Sequence, residues 1–246
     1  MKKINKKGEM TSKQIVTLII LITSFVVLLI LFFRLDLGRV TDSEICHNSV
    51  VLSAAGKSLV SELDCKTAYV CISGGEECEG IVPTETAKIN MKKEEKIVKE
   101  EIMQVLADEM VDCWWMFGEG ELIYAPNADG YHCALCNVVK FDSSIQEKFP
   151  ELTYAEFYNY LSIIEKTENK NYLEYLYGTY NLEMVKEKNK KINIDTDKIS
   201  TAEKFVVLTG IDPRIVLVDK VIFPWLVKYD QIKTKTKCEV FDITQA

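Results

Sequence analysis

The residues of this sequence best able to do chemistry are eight cysteines and two histidines. The cysteines are Cys46, Cys65, Cys71, Cys78, Cys113, Cys133, Cys136 and Cys238, and each histidine adjoins one, in Cys46-His47 and His132-Cys133-Ala134-Leu135-Cys136. Three chemistries fit. Cys113, His132, Cys133 and Cys136 match the donor set of tetrahedral zinc, for which Cys-x2-Cys is a common half-site. Cys133 and Cys136 alone have the spacing of a thiol-disulfide oxidoreductase. All eight could equally be structural disulfides. A redox Cys-x2-Cys opens a helix, whose N-terminal dipole stabilises the thiolate, whereas Cys136-Asn-Val-Val-Lys-Phe-Asp142 favours a strand. Residues three apart on a strand face opposite sides, so Cys133 and Cys136 should reach different partners, Cys113 for instance. Structural bridges are therefore the first reading, zinc the second and a redox pair the third.

Other catalytic patterns are weaker. The sequence has no Gly-x-Ser-x-Gly elbow, His-Glu-x-x-His helix or phosphate-cradling glycine loop. Asp108, Glu109 and Asp112 place carboxylates on one predicted helix, where a solvated charged face is the commoner explanation. No catalytic residue is assigned, and a non-enzymatic role is expected. Seven of the eleven tyrosines, Tyr154, Tyr158, Tyr160, Tyr172, Tyr175, Tyr177 and Tyr180, fall within 27 residues. At helical spacing about half should face the core, leaving the rest of the 154–180 region for a protein partner.

The compartment follows from charge and hydropathy. Net charge is −7, but residues 1–14 carry +4 and the remainder −11. Ile15 to Phe33 is a run of nineteen residues without charge, Gly or Pro. As a helix it covers roughly 28 Å, close to the thickness of bilayer hydrocarbon. A cleaved secretory signal would have a shorter apolar region and a small-x-small site after it; Arg34-Leu-Asp-Leu-Gly-Arg39 offers none. The five lysines before the span predict a cytoplasmic N-terminus and an extracytoplasmic body, where an even cysteine count reads as a disulfide framework. The acidic body argues against nucleic acid, and Lys186-Glu-Lys-Asn-Lys-Lys191 reads as a solvated loop.

The parts expected to position these residues are a basic tail (1–14), a membrane span (15–33), a cysteine-rich segment (34–83) and a main domain (84–246), giving an α+β fold overall. Thr41-Asp-Ser-Glu44 and Thr153-Tyr-Ala-Glu156 have the capping-box form. Cys65 to Cys78, with Gly74-Gly75, suggests a stapled hairpin. Val98, Ile102, Leu106, Met110, Cys113 and Phe117 recur at helical period until Gly118 and Gly120. Glu121–Ala125 and Tyr131–Phe141 suggest a second hairpin, against which that helix and Trp114-Trp115 should pack. Tyr154, Phe157, Tyr158 and Leu161 predict one apolar helix face, and a short helix over Tyr172–Tyr177 should stop at Gly178. Strands are expected at Lys191–Ile194, Phe205–Thr209, Val221–Tyr229 and Glu239–Ile243, with Pro224 marking an edge or a break.

Cys46-His-Asn-Ser-Val-Val-Leu52, Asp108 to Gly120, His132 to Cys136 and Tyr172 to Gly178 resemble blocks of an uncharacterised family of archaeal single-pass membrane proteins. The resemblance covers much of the body and implies no activity. Lys6-Lys-Gly-Glu9 is similar to the processing site of archaeal class III, pilin-type signal sequences. It departs from that pattern in the six residues between Gly8 and the apolar run, and in Lys13, where a pilin carries Glu. The expected function is a membrane-anchored, disulfide-braced binding or structural domain, with the oxidoreductase and a pilin-like subunit cleaved after Gly8 as alternatives.

Overall fold

The computed structural model describes residues 12–34, 37–56, 63–124, 131–188, 192–211, 221–236, 238 and 240–242. Gly8 and its proposed processing site lie outside them. The chain divides into two compact units, residues 1–41 and 42–246.

In the first unit, helix α1 (Ser12–Arg34) contains the whole apolar run. Its described side chains, Gln14 to Ile30, are all exposed. Among the described residues, no helix is long and apolar enough to cross a membrane. Helix α2 (Leu37–Ala54) begins in this unit and continues into the second. It starts four residues before Thr41, so Thr41-Asp-Ser-Glu44 lies inside the helix and does not cap it, correcting that reading.

The second unit is built on a mixed sheet. Its strands are β1 (Ala68–Ser73), β2 (Glu85–Lys88), β3 (His132–Phe141), and further along the chain β8 (Phe205–Ile211), β9 (Val221–Lys228) and β10 (Val240–Asp242). Their order is β2-β1-β3-β8-β9, with β10 also on β3. β1 runs parallel to both β2 and β3, whereas β8 is antiparallel to β3 and β9. One edge of β3 is shared: β1 pairs with Asn137–Phe141 and β10, also parallel, with His132–Ala134. Among the described residues neither expected hairpin forms, and Ala125 with the expected turn Pro126–Gly130 lies outside them. Cys71 and Cys78 close a loop, but β1 pairs in parallel with β2, and Glu121–Tyr124 is not a strand.

Helix α3 (Glu95–Met116) connects β2 to β3 and buries Val98, Ile102, Leu106, Met110, Cys113 and Trp114. Trp114 packs on Phe223 of β9, its ring centroid 5.7 Å away, and Trp115 stacks on His47 of α2 at 4.3 Å. After β3 come α4 (Ser143–Lys148), β4 (Glu151–Thr153) and α5 (Tyr154–Ile163). Both bonds of the Thr153/Glu156 capping box are present, and Tyr154, Phe157, Tyr158 and Leu161 are buried. The small hairpin β5 (Glu165–Thr167) and β6 (Lys170–Asn171) precedes α6 (Tyr172–Tyr177), which Gly178 ends with φ 67°. Helix α7 (Leu182–Lys188) carries Lys186 and Lys188, placing part of the expected basic loop on a helix. Ile192–Ile194 is not a strand, and Lys191 lies outside the described residues. β7 (Lys198–Ser200) pairs with β4, and α8 (Ile232–Lys235) follows β9.

Candidate functional site

The cysteine centre is fixed by β3. Cys136 bonds Cys113 on α3, Cys133 bonds Cys238 just before β10, Cys46 bonds Cys65, and Cys71 bonds Cys78. No cysteine is free. Cys133 and Cys136 thus point to different partners, as strand geometry requires, with a register shift between Leu135 and Asn137. Both alternatives to structural bridges call on cysteines that these bonds occupy. The proposed zinc donors Cys113, Cys133 and Cys136 are consumed in disulfides and offer no thiolate, and no group of three or more His, Cys, Asp or Glu suited to a metal occurs among the described residues. Cys133 and Cys136 do not bond each other, and both lie within strand β3. His132 faces Tyr124 edge-on at 6.0 Å. Gly210, opposite Cys133 on β8, gives that bridge room: a Cβ there would lie 2.5 Å from the His132 carbonyl oxygen and 3.1 Å from Cys133 Sγ.

The strongest polar constellation centres on a residue that sequence patterns mark only weakly. Asp142, at the carboxyl end of β3, is 0% exposed. Its Oδ2 accepts from the amides of Gly74, Gly75 and Glu76 at 2.9, 3.2 and 2.8 Å and from the Ser73 hydroxyl at 3.1 Å. Its Oδ1 accepts from the Ile145 amide at 2.9 Å and the Ser144 hydroxyl at 2.8 Å, capping α4. Burial pushes this carboxyl up, but the hydrogen bonds outweigh it and hold it below the ordinary carboxylate range. One side chain therefore ties the Gly74-Gly75 turn after β1 to the start of α4. Gly74 is required by packing, since a Cβ would meet Ser144 Oγ at 2.4 Å and Met91 Cγ at 2.6 Å. Above this turn lies an open groove of about 740 Å³, lined by the Cys71–Cys78 bridge, Glu76, Ile81, Val82 and Lys88. Val82 is 88% exposed. Successive backbone amides of this kind make an anion-binding nest; here the chain's own carboxylate fills it.

No family model, curated protein or solved structure matches this chain. The reading of the site therefore rests on its geometry.

The tyrosine-rich stretch is mostly core. Tyr154, Tyr158, Tyr160, Tyr172 and Tyr177 are buried, Tyr175 is half-buried on Glu119, and Tyr180 is 79% exposed. Two of them guard a sheet edge. The Tyr154 hydroxyl donates to the Leu226 carbonyl at 2.9 Å, and the Tyr177 hydroxyl to the Pro224 carbonyl at 3.0 Å. Both acceptors belong to β9, which among the described residues pairs with β8 alone. Pro224 supplies no amide, so side chains and a proline together block strand addition there. Burial pushes both phenols up, keeping them protonated donors. Tyr177→Phe, which removes the hydroxyl that bonds the Pro224 carbonyl and the Tyr158 hydroxyl, should cost about 1–3 kcal/mol in chemical denaturation. An unchanged midpoint would show that this bond adds nothing.

The acidic trio also needs correction. Asp108 Oδ1 accepts from the Tyr172 hydroxyl at 2.7 Å and lies 3.2 Å from Lys166 Nζ, but Glu109 is buried and is not part of a solvated face.

Proposed function

We propose that this chain is a single-pass membrane protein whose disulfide-braced α+β domain works outside the cytoplasm as a non-enzymatic binding or structural module. The observation that carries the reading is that every cysteine, all of them in the body, is paired. Stable disulfides belong to oxidising compartments.

Helix α1 supports the anchor. Its 23 backbone residues extend roughly 34 Å, comparable with the thickness of bilayer hydrocarbon. A continuous exposed surface of Ile, Leu, Val and Phe costs free energy in water and needs no protein cover in lipid. Two of the hydroxyls within it, those of Thr23 and Ser24, bond back to the carbonyls of Ile20 and Leu21 at 3.0 and 2.9 Å, as suits a low-dielectric surrounding. The lysines before the helix favour a cytoplasmic N-terminus.

Carbonate extraction of membranes and external proteolysis of intact cells together test this topology. The chain should remain in the carbonate pellet, and an epitope in the body should be lost to external protease. A carbonate-soluble chain, or a body epitope protected until lysis, would contradict the reading.

A further inference from the structure

We propose that the Cys133–Cys238 disulfide latches a strand-exchange site: when it is reduced, β10 leaves the edge of β3, and the vacated seat at His132–Ala134 takes β10 from a second copy of this chain. The sheet's edges are guarded in different ways. β9 is blocked by Pro224, Tyr154 and Tyr177, and β2 is only four residues long. Along β3, β1 covers Asn137–Phe141, and the Thr67 hydroxyl caps the Leu135 carbonyl at 2.9 Å. The rest of that edge is covered by three residue pairs, Val240 with His132, Phe241 with Cys133 and Asp242 with Ala134. So short a ladder is weak alone, and the covalent bond beside it is what keeps β10 in place.

Of the four bridges, this is the one whose opening frees a strand of the main sheet. Cys113–Cys136 is wholly buried between α3 and β3, Cys46–Cys65 holds α2, and Cys71–Cys78 closes a loop. Cys133 is buried, while Cys238 is only partly buried. A dithiol therefore meets Cys238 first. Its thiolate attacks Cys238 Sγ and expels the Cys133 thiolate; its second thiol closes a cyclic disulfide and releases the Cys238 thiolate. The bridge gains two electrons and two protons, both from the dithiol. The occupant is a second copy because the segment that fits the seat is β10 itself, released in every reduced copy. Reciprocal exchange then satisfies both seats and closes a two-fold dimer.

The test mixes full-length chain carrying ¹⁴N with full-length chain carrying ¹⁵N in detergent, applies limited dithiothreitol, removes it, and lets the bridges re-form in air. Disulfide-linked peptides are then read by mass spectrometry without reduction. Mixed-isotope pairs should appear in the Cys133–Cys238 peptide, approaching the statistical half, while the other three bridges stay within one isotope. No mixing at Cys133–Cys238 would overturn the proposal. Mixing at any of the other three would also overturn it, because it would mean general unfolding and not release of one strand.

Discussion

Replacing Asp142 with alanine should destabilise the body by about 3–5 kcal/mol, a large share of the stability of a typical domain. The substitution removes one buried carboxylate but strands several donors at once: the amides of Gly74, Glu76 and Ile145 all give their hydrogen bonds to it. All three tryptophans lie in the body, so their fluorescence during urea titration reports its unfolding. An Asp142→Ala midpoint within a few tenths molar of the parent would show that the carboxylate is not the tie between β1 and α4.

The same residue sets an acid limit. The folded carboxyl is held below its unfolded value, so its contribution is complete above the ordinary carboxylate range, near about pH 4, and is lost as pH falls through the lower folded value. Stability should fall on acidification below about pH 4, and this slope should be shallower in Asp142→Ala. An identical slope in both would assign the acid sensitivity elsewhere.

The second large effect concerns the bridges. Loop closure in the unfolded chain costs more for longer loops, so the sequence separations of 105 for Cys133–Cys238 and 7 for Cys71–Cys78 rank them. The chain-entropy relation gives roughly 4.7 kcal/mol for the first and roughly 2.4 kcal/mol for the second. The paired serine variants should therefore differ by about 2 kcal/mol in urea denaturation, the Cys133→Ser/Cys238→Ser chain being the weaker. The reverse order would mean that the Cys71–Cys78 loop contributes through its packing on the Asp142 turn more than through closure.

What sequence made legible was local. The α3 period, the Thr153/Glu156 capping box, Gly178 after α6 and the edge position of β9 at Pro224 each depend on residues within a turn or two of one another. Even the divergence of Cys133 and Cys136 needed only strand alternation. The failures are long-range. Two turn-rich segments next to β-prone runs suggested hairpins, but β1 and β3 are instead parallel neighbours separated in sequence by α3, a pairing set by tertiary packing. Their nearly continuous burial, and that of β8, is the available signal, since strands covered on both faces lose alternation.

Asp142 carried a weak local signal as the N-cap of a six-residue helix. Its larger role was invisible because its other partners lie in the Gly74-Gly75 turn, 66 to 69 residues earlier. Thr41-Asp-Ser-Glu44 failed for the opposite reason: the motif has the right form, but the helix had already begun at Leu37.

The central claim, an extracytoplasmic body with all eight cysteines paired, is tested most directly by thiol labelling of intact cells with a membrane-impermeant maleimide, with and without prior denaturation and reduction of the exposed protein. The account predicts no labelling before reduction and labelling of the body's cysteines after it, without permeabilising the cells. Free cysteines that become accessible only after the membrane is opened would contradict both the pairing and the topology.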